Sequence, residues 1–130
     1  MTDTKLTVDN AQTLVESWLK AKDKALSQQY DVASLEQVLT EPALTRAKRR
    51  AKEAKAAGSY WEHQHVVKID AVSNTPGGGT IEATVKEVSN FYTADKQLDY
   101  GHSYNKDVRV RYALVNSTGR WLIKEMTVIQ

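Results

Sequence analysis

The chain has no cysteine in its 130 residues. That removes thiol catalysis, disulfide bridges and zinc–thiolate sites together, and leaves the redox compartment open. Charge of one sign is also scarce: 18 Lys and Arg against 16 Asp and Glu give a net charge of +2, too small by itself to imply nucleic acid or an anionic membrane. No apolar run approaches membrane-spanning length, and the N-terminus has no signal-peptide pattern. Direct membrane insertion by this chain is therefore not expected, and any anchor or export signal would lie outside it. There is no internal repeat and no low-complexity segment. What is present, 41% hydrophobic and 26% charged residues, is the composition of one globular domain with a core of its own.

The stretch that organises this domain is AQTLVESWLKAKDKAL, from Ala11 to Leu26. On a helical wheel Ala11, Leu14, Val15, Trp18, Leu19, Ala21, Ala25 and Leu26 share one half, with the indole near its centre. A face that wide is covered by other parts of the fold. Lys22 interrupts it. Such a lysine either snorkels, its stem packed and its ammonium in water, or is buried and needs a carboxylate.

Taken in order, residues 1–9 are polar and expected to form a flexible lead-in to a single domain spanning 10–130. Asp9 or Asn10 is the expected cap of the first helix, which runs to about Gln28. Asp31 caps a short second helix, VASLEQVL. Thr40-Glu41-Pro42 stops and restarts the chain, and a third helix continues to Ala57, where Gly58 ends it. After Gly58 the pattern changes to two-residue alternation. The first strand, Tyr60 to Ser73, places Trp61, His63, His65, Val67, Ile69 and Ala71 on one face. Asn74-Thr75-Pro76-Gly77-Gly78-Gly79 reads as a flexible, exposed turn. A second strand begins at Thr80 with Ile81, Ala83, Val85, Glu87 and Phe91 inward. Ala94 to Ser103 reads as a polar loop, followed by strands Tyr104–Asn116 and Arg120–Ile129 around the turn Ser117-Thr118-Gly119. Strands that succeed one another without helices form an antiparallel meander. The expected fold class is α+β: three N-terminal helices packed on one face of a four-stranded antiparallel sheet.

The third helix carries Arg46, Lys48, Arg49, Arg50, Lys52 and Lys55, the densest basic run in the chain. Ala43, Leu44, Ala47, Ala51 and Ala54 form a narrow contact stripe, so the cations read as a solvated outer face. No aromatic residues interleave with them, which argues against single-stranded nucleic acid.

The order and spacing of several short motifs resemble a known domain. They are W-L-x-x-K-x-x-A-L (Trp18, Leu19, Lys22, Ala25, Leu26), V-L-T-E-P-A-L, the basic-alanine helix, Tyr60-Trp61, I-E-A-T-V-K-E (Ile81 to Glu87), V-R-Y-A-L (Val110 to Leu114) and G-R-W-L-I-K (Gly119 to Lys124). Together they resemble the IMS domain family of the plastid-division protein accumulation and replication of chloroplasts and of cyanobacterial ZipN. The family also occurs at the C-terminal ends of other cyanobacterial proteins, including Ser/Thr kinases. The resemblance implies a nuclear-transport-factor-like cone, a non-enzymatic role in division, and a protein partner such as the tail of a membrane-anchored division protein. It also implies a location in the plastid intermembrane space or on the periplasmic side of the cyanobacterial inner membrane. It implies no cofactor.

Three kinds of site follow from the residues themselves. A partner segment is expected where the sheet's aromatic residues meet the helices, at Tyr60, Trp61, Tyr92, Tyr104 and Tyr112, because Tyr and Trp combine apolar area with a polar tip. The alternative for Trp61 and Tyr112 is plain core. An enzyme of the cone fold would use a pocket around Glu87, His63, His65 and Tyr112, with the carboxylate as base. His63 and His65 could also ligate a metal if His102 or a carboxylate supplied a third ligand, but nothing in the spacing selects one. Finally, Lys22 and Glu87 are expected to meet as an ion pair, since each is costly to bury alone.

Overall fold

The computed structural model describes residues 5–117 and 119–129, with the backbone alone at His102, Tyr104 and Ser117. The first helix, α1, is Val8–Leu26 and buries Ala11, Val15, Trp18, Leu19, Ala21, Ala25 and Leu26. Its cap is Thr7 rather than Asp9 or Asn10. Thr7 Oγ1 accepts from Asn10 N at 3.2 Å while Asn10 Oδ1 accepts from Thr7 N at 2.6 Å, a reciprocal capping box. Ahead of α1, Leu6 is buried, and Asn74 pairs both its N–H and its carbonyl at 2.9 Å.

The expected three helices on four strands need correction. The middle helix is a short 3-10 segment, Ala33–Gln37, with Asp31 Oδ1 accepting from Ala33 N at 3.0 Å. The second α-helix, α2, is Ala43–Ala57 and ends at Gly58, whose φ of 73° is the left-handed conformation a glycine cap supplies. The strands β1 (Tyr60–Thr75), β2 (Gly78–Tyr92), β3 (Leu98–Ser117) and β4 (Arg120–Val128) form an antiparallel sheet in chain order. Leu39 adds a fifth, one-residue rung by a parallel bridge to Ile123. Between α1 and α2, then, the chain spends its apolar residues on the sheet margin instead of on a full helix.

Three strand details depart from simple alternation. A bulge at Asp70 lies between the Ile69 and Ala71 pairings, so Ala71 becomes exposed and Val72 takes the half-buried position. The Pro76-Gly77 hairpin is tight rather than loose, with Gly77 at φ 75°. A Cβ on Gly79 would sit 2.6 Å from the Ser73 carbonyl and 3.2 Å from Leu6 Cδ2, so its glycine serves close packing. The expected 94–103 loop shrinks to a turn closed by Thr93 N donating to Gln97 O at 3.0 Å, and β3 starts at Leu98. Polar side chains there hide the strand from a hydrophobic pattern, and the irregularity opposite Ser89 and Phe91 absorbs its offset.

The core lies between the helices and the inner face of the sheet. Ile81, Ala83, Val85, Val110, Tyr112, Leu114 and Ile123 meet the α1 face, Leu35, Leu39 and the alanine stripe of α2. The outer face is polar, with Arg109 and Arg111 bridged by Glu82 at 3.4 and 3.0 Å.

Candidate functional site

The inner face holds a chain of polar side chains inside the apolar core. Lys22 Nζ donates to Glu87 Oε1 at 2.8 Å, and His65 Nε2 lies 2.8 Å from the same oxygen. A carboxylate only accepts, so the His65 ring presents its Nε2–H to Glu87. The Lys22 and Glu87 side chains are 15% and 7% exposed. Burial pushes the Lys22 ammonium below its ordinary range, and Glu87 opposes that shift.

His63 sits beside this group. Asp23 Oδ1 accepts from the His63 backbone N–H at 2.9 Å and lies 3.3 Å from ring Nδ1, which leaves a buried Nε2 with no hydrogen-bond partner among the described residues. Burial, then the nearby Lys22 charge, lowers its pKa to about 4, so the ring is neutral near pH 7. The rings of Trp61, His63 and His65 stack in sequence, with centroids 5.7 and 5.5 Å apart, and Arg50 Cζ lies 5.8 Å from the Trp61 ring. The column thus runs from α2 down β1 to the Glu87 carboxylate.

Two connected grooves open onto this region. One, about 180 Å³, lies between α1 and α2 and is floored by Trp18, Leu26, Leu35, Ala47 and Met126, with Arg46 and Arg50 at its rim. The other, about 280 Å³, continues over the sheet along Val85, Glu87, Lys106, Val108, Tyr112 and Val128, sharing Trp18, Lys22, Arg50 and Met126 with the first. A third, about 340 Å³, separates α1 from β1 beside Glu16, Asp23, His63 and His65.

The aromatic residues expected to act together are divided. Tyr112 lines the sheet groove but is 1% exposed, with its phenol pushed well up by burial and by Glu87, so it is core first. Trp61 is half-buried and packs on Phe91 at 4.7 Å. Tyr60 and Tyr92 are register partners on the opposite sheet face from Trp61, stacked at 5.0 Å and 11°. Alternation puts neighbours on opposite sides, so Tyr60 and Trp61 cannot serve one groove. The side chain of Tyr104 lies outside the described residues, as does that of His102. Among the described residues no three His, Asp or Glu side chains are grouped to hold a metal ion, and no helix is long and apolar enough to cross a membrane.

Sequence reasoning missed Trp18 and Met126 as groove floor and Arg46 and Arg50 as its rim. A signal was available: Arg46 and Arg50 are one turn apart and flank Ala47, which belongs to the buried stripe. Arg49 belongs to none of these grooves.

The family model described as "ARC6-like, IMS domain" matches residues 11–124, from α1 into β4. The chain belongs to the ARC6-like IMS domain family. The intermembrane space region of chloroplast protein ARC6 superposes with a TM-score of 0.88 at 21% identity, covering 96% of this chain and 98% of that one. Aln2 from a Streptomyces species gives 0.56 at 14%, covering 95% and 93%. The Kfla4162 protein from Kribbella flavida gives 0.55 at 15%, covering 94% and 91%. An NTF2-named chain also matches, with a TM-score of 0.55 at 15% identity, covering 92% and 96%. At these identities the structures establish the fold, an α+β domain with NTF2-like neighbours. No curated protein matches. In this ARC6-like IMS domain, α1 packs along β1 and carries Lys22 to Glu87 on β2, while α2 sets the groove rim.

Proposed function

We propose that this IMS domain is a non-catalytic interaction domain of a division-type protein, holding a segment of a protein partner in the joined groove between α1, α2 and the sheet. The observation that carries this reading is an apolar floor rimmed by Arg46 and Arg50, neither of which has a carboxylate partner among the described residues. Apolar side chains fit the floor and acidic groups fit the rim. Proton abstraction fits less well. Glu87 Oε1 already accepts from Lys22 and His65, so the oxygen a base would use is engaged within the protein. The family resemblance supplies the setting: a tail of a membrane-anchored division protein, met in the plastid intermembrane space or on the periplasmic side of a cyanobacterial inner membrane.

The test is site-specific cross-linking in a membrane fraction, with p-benzoylphenylalanine placed at Met126 in the groove or at Lys68 on the outer face. One discrete covalent product from the Met126 position is expected, absent from the Lys68 position and lost in Arg46→Glu/Arg50→Glu. Equal products from both positions, or none from Met126, would overturn the reading.

A further inference from the structure

The outer edges of β1 and β4 are each capped in part by flanking elements, but a third edge arises because β3 is much longer than β4. Along β1, Asp23 Oδ1 accepts from His63 N at 2.9 Å, and Gln12 Nε2 donates to Val67 O at 3.0 Å. Along β4, Ile123 N donates to Val38 O at 2.8 Å, and Thr40 N donates to Ile123 O at 2.9 Å. These contacts blunt edges that would otherwise template another strand. β3 is different. β4 pairs with it only from Val110 to Ser117, followed by one bond from Ile129 N to Arg109 O at 2.9 Å.

Beyond that bond, β2 is the only strand beside β3 among the described residues. The Arg109 carbonyl points toward the β4 side. In an antiparallel ladder the bonding direction alternates every residue, so the N–H and C=O of Asp107 and Asn105 point the same way as those of Arg109. No described strand meets them. The adjacent side chains, Lys106 and Val108, line the sheet groove, as do Lys22, Arg50 and Glu87.

We propose that the partner segment is held as an added strand along Asn105–Arg109, continuing the line of β4, with apolar and acidic side chains alternating over the groove. This rests on the groove being the partner site and specifies how the partner is gripped. Main-chain hydrogen bonds supply binding that is indifferent to sequence, and the groove reads every second side chain. Charge selects the acidic form: the groove lining carries three cations, Lys22, Arg50 and Lys106, against one carboxylate, Glu87, so that with Lys22 and Glu87 cancelling each other the lining stays net positive. A second copy of the chain is a poorer occupant. Two-fold pairing along this edge brings two net-positive groove linings side by side, and such like-charge juxtaposition opposes association.

The experiment is an amide NMR titration of the whole chain with synthetic peptides of about nine residues, a typical strand length. The acidic probe has Thr at odd positions and Val and Glu alternating at even ones. Saturable shifts and slowed amide exchange at Asn105 and Asp107 are expected. A Lys-for-Glu peptide should bind at least about tenfold more weakly. A version N-methylated at its alternate amides should not bind. In Asp107→Pro the lost N–H faces away from β2, so the sheet should survive while peptide binding disappears. Asn105→Pro is the second variant if the first perturbs the spectrum. Absence of saturable shifts from the acidic probe, or binding that survives both proline variants, would overturn strand addition. Met126 cross-linking that persists in Asp107→Pro would leave the groove reading standing and remove only this one. Shifts at Asn105 and Asp107 that follow protein concentration without peptide would assign the edge to self-association instead.

Discussion

Lys22 on α1 and Glu87 on β2 are joined at 2.8 Å across a sequence separation of 65 residues. Because His65 meets the same Glu87 oxygen, the bond joins the helix to two strands at once. It ties α1 to the inner face of the sheet at a defined point, since a buried ammonium needs its acceptor.

Removing one partner should therefore be severe. Lys22→Met or Glu87→Leu is expected to cost about 3–5 kcal/mol, the usual penalty for an uncompensated buried charge. Lys22→Met combined with Glu87→Leu should recover most of that loss. A residual of about 1–3 kcal/mol should remain, because the His65 Nε2–H is left without its acceptor. Denaturant unfolding of the four proteins in a double-mutant cycle reads the coupling. Additive losses would show that the pair carries no interaction energy.

Acid should destabilise the domain through His63. The unfolded ring binds a proton below its ordinary pKa near 6.5, whereas the folded ring resists until about pH 4. Between those values the unfolded state holds more protons, so stability falls as pH drops through the window. The His63 contribution is on the order of 2–3 kcal/mol. It is measured as the difference in pH slope between the parent chain and His63→Gln over that range. Identical slopes would show that His63 is protonated equally well in both states.

The basic face of α2 should divide by position. Arg49→Gln is expected to leave stability within about 0.5 kcal/mol and to leave partner capture intact, as for most exposed charges. Arg46→Gln and Arg50→Gln should be similarly mild for folding but should weaken capture through the groove. Melting curves and cross-linking yields measured on the same preparations separate the two effects. Equal loss of capture from all three variants would indicate a diffuse charge effect.

Close packing makes glycine necessary at Gly78 and Gly79 of the first hairpin, where an added Cβ would lie 2.6 Å from the carbonyls of Leu114 and Ser73. Gly79→Ala forces its methyl to within 2.6 Å of the Ser73 carbonyl and should cost about 1–3 kcal/mol through backbone displacement. Gly101→Ala meets only Asp99 Oδ1 at 3.3 Å, the end of a side chain, and should change stability by less than about 0.5 kcal/mol. Thermal unfolding of both variants checks the contrast. A neutral Gly79→Ala would show that the hairpin relaxes freely.

Periodicity alone determined the amphipathic face of α1, the change from helical to alternating pattern after Gly58, and the inward series Ile81, Ala83, Val85 and Glu87. These features were legible because side-chain direction repeats locally, every 3.6 residues in a helix and every two in a strand. The wheel also showed that Lys22, if buried, required an acceptor. Only the tertiary structure decided that one Glu87 oxygen serves both Lys22 and His65, that Arg46 and Arg50 rim a groove while Arg49 does not, and that Tyr60 stacks on Tyr92 while Trp61 packs on Phe91. It likewise decided that the 98–103 stretch is strand, because pairing with β2 at Leu98 and Asp99, and again from residue 104 onward, holds it extended without any apolar alternation to announce it. The physical reason is common to all of these. Local sequence sets which way a side chain leaves its own element, whereas what it meets depends on strand register, bulges and the crossing of helices, and those are settled when separate elements compete to bury apolar surface and pair their polar groups.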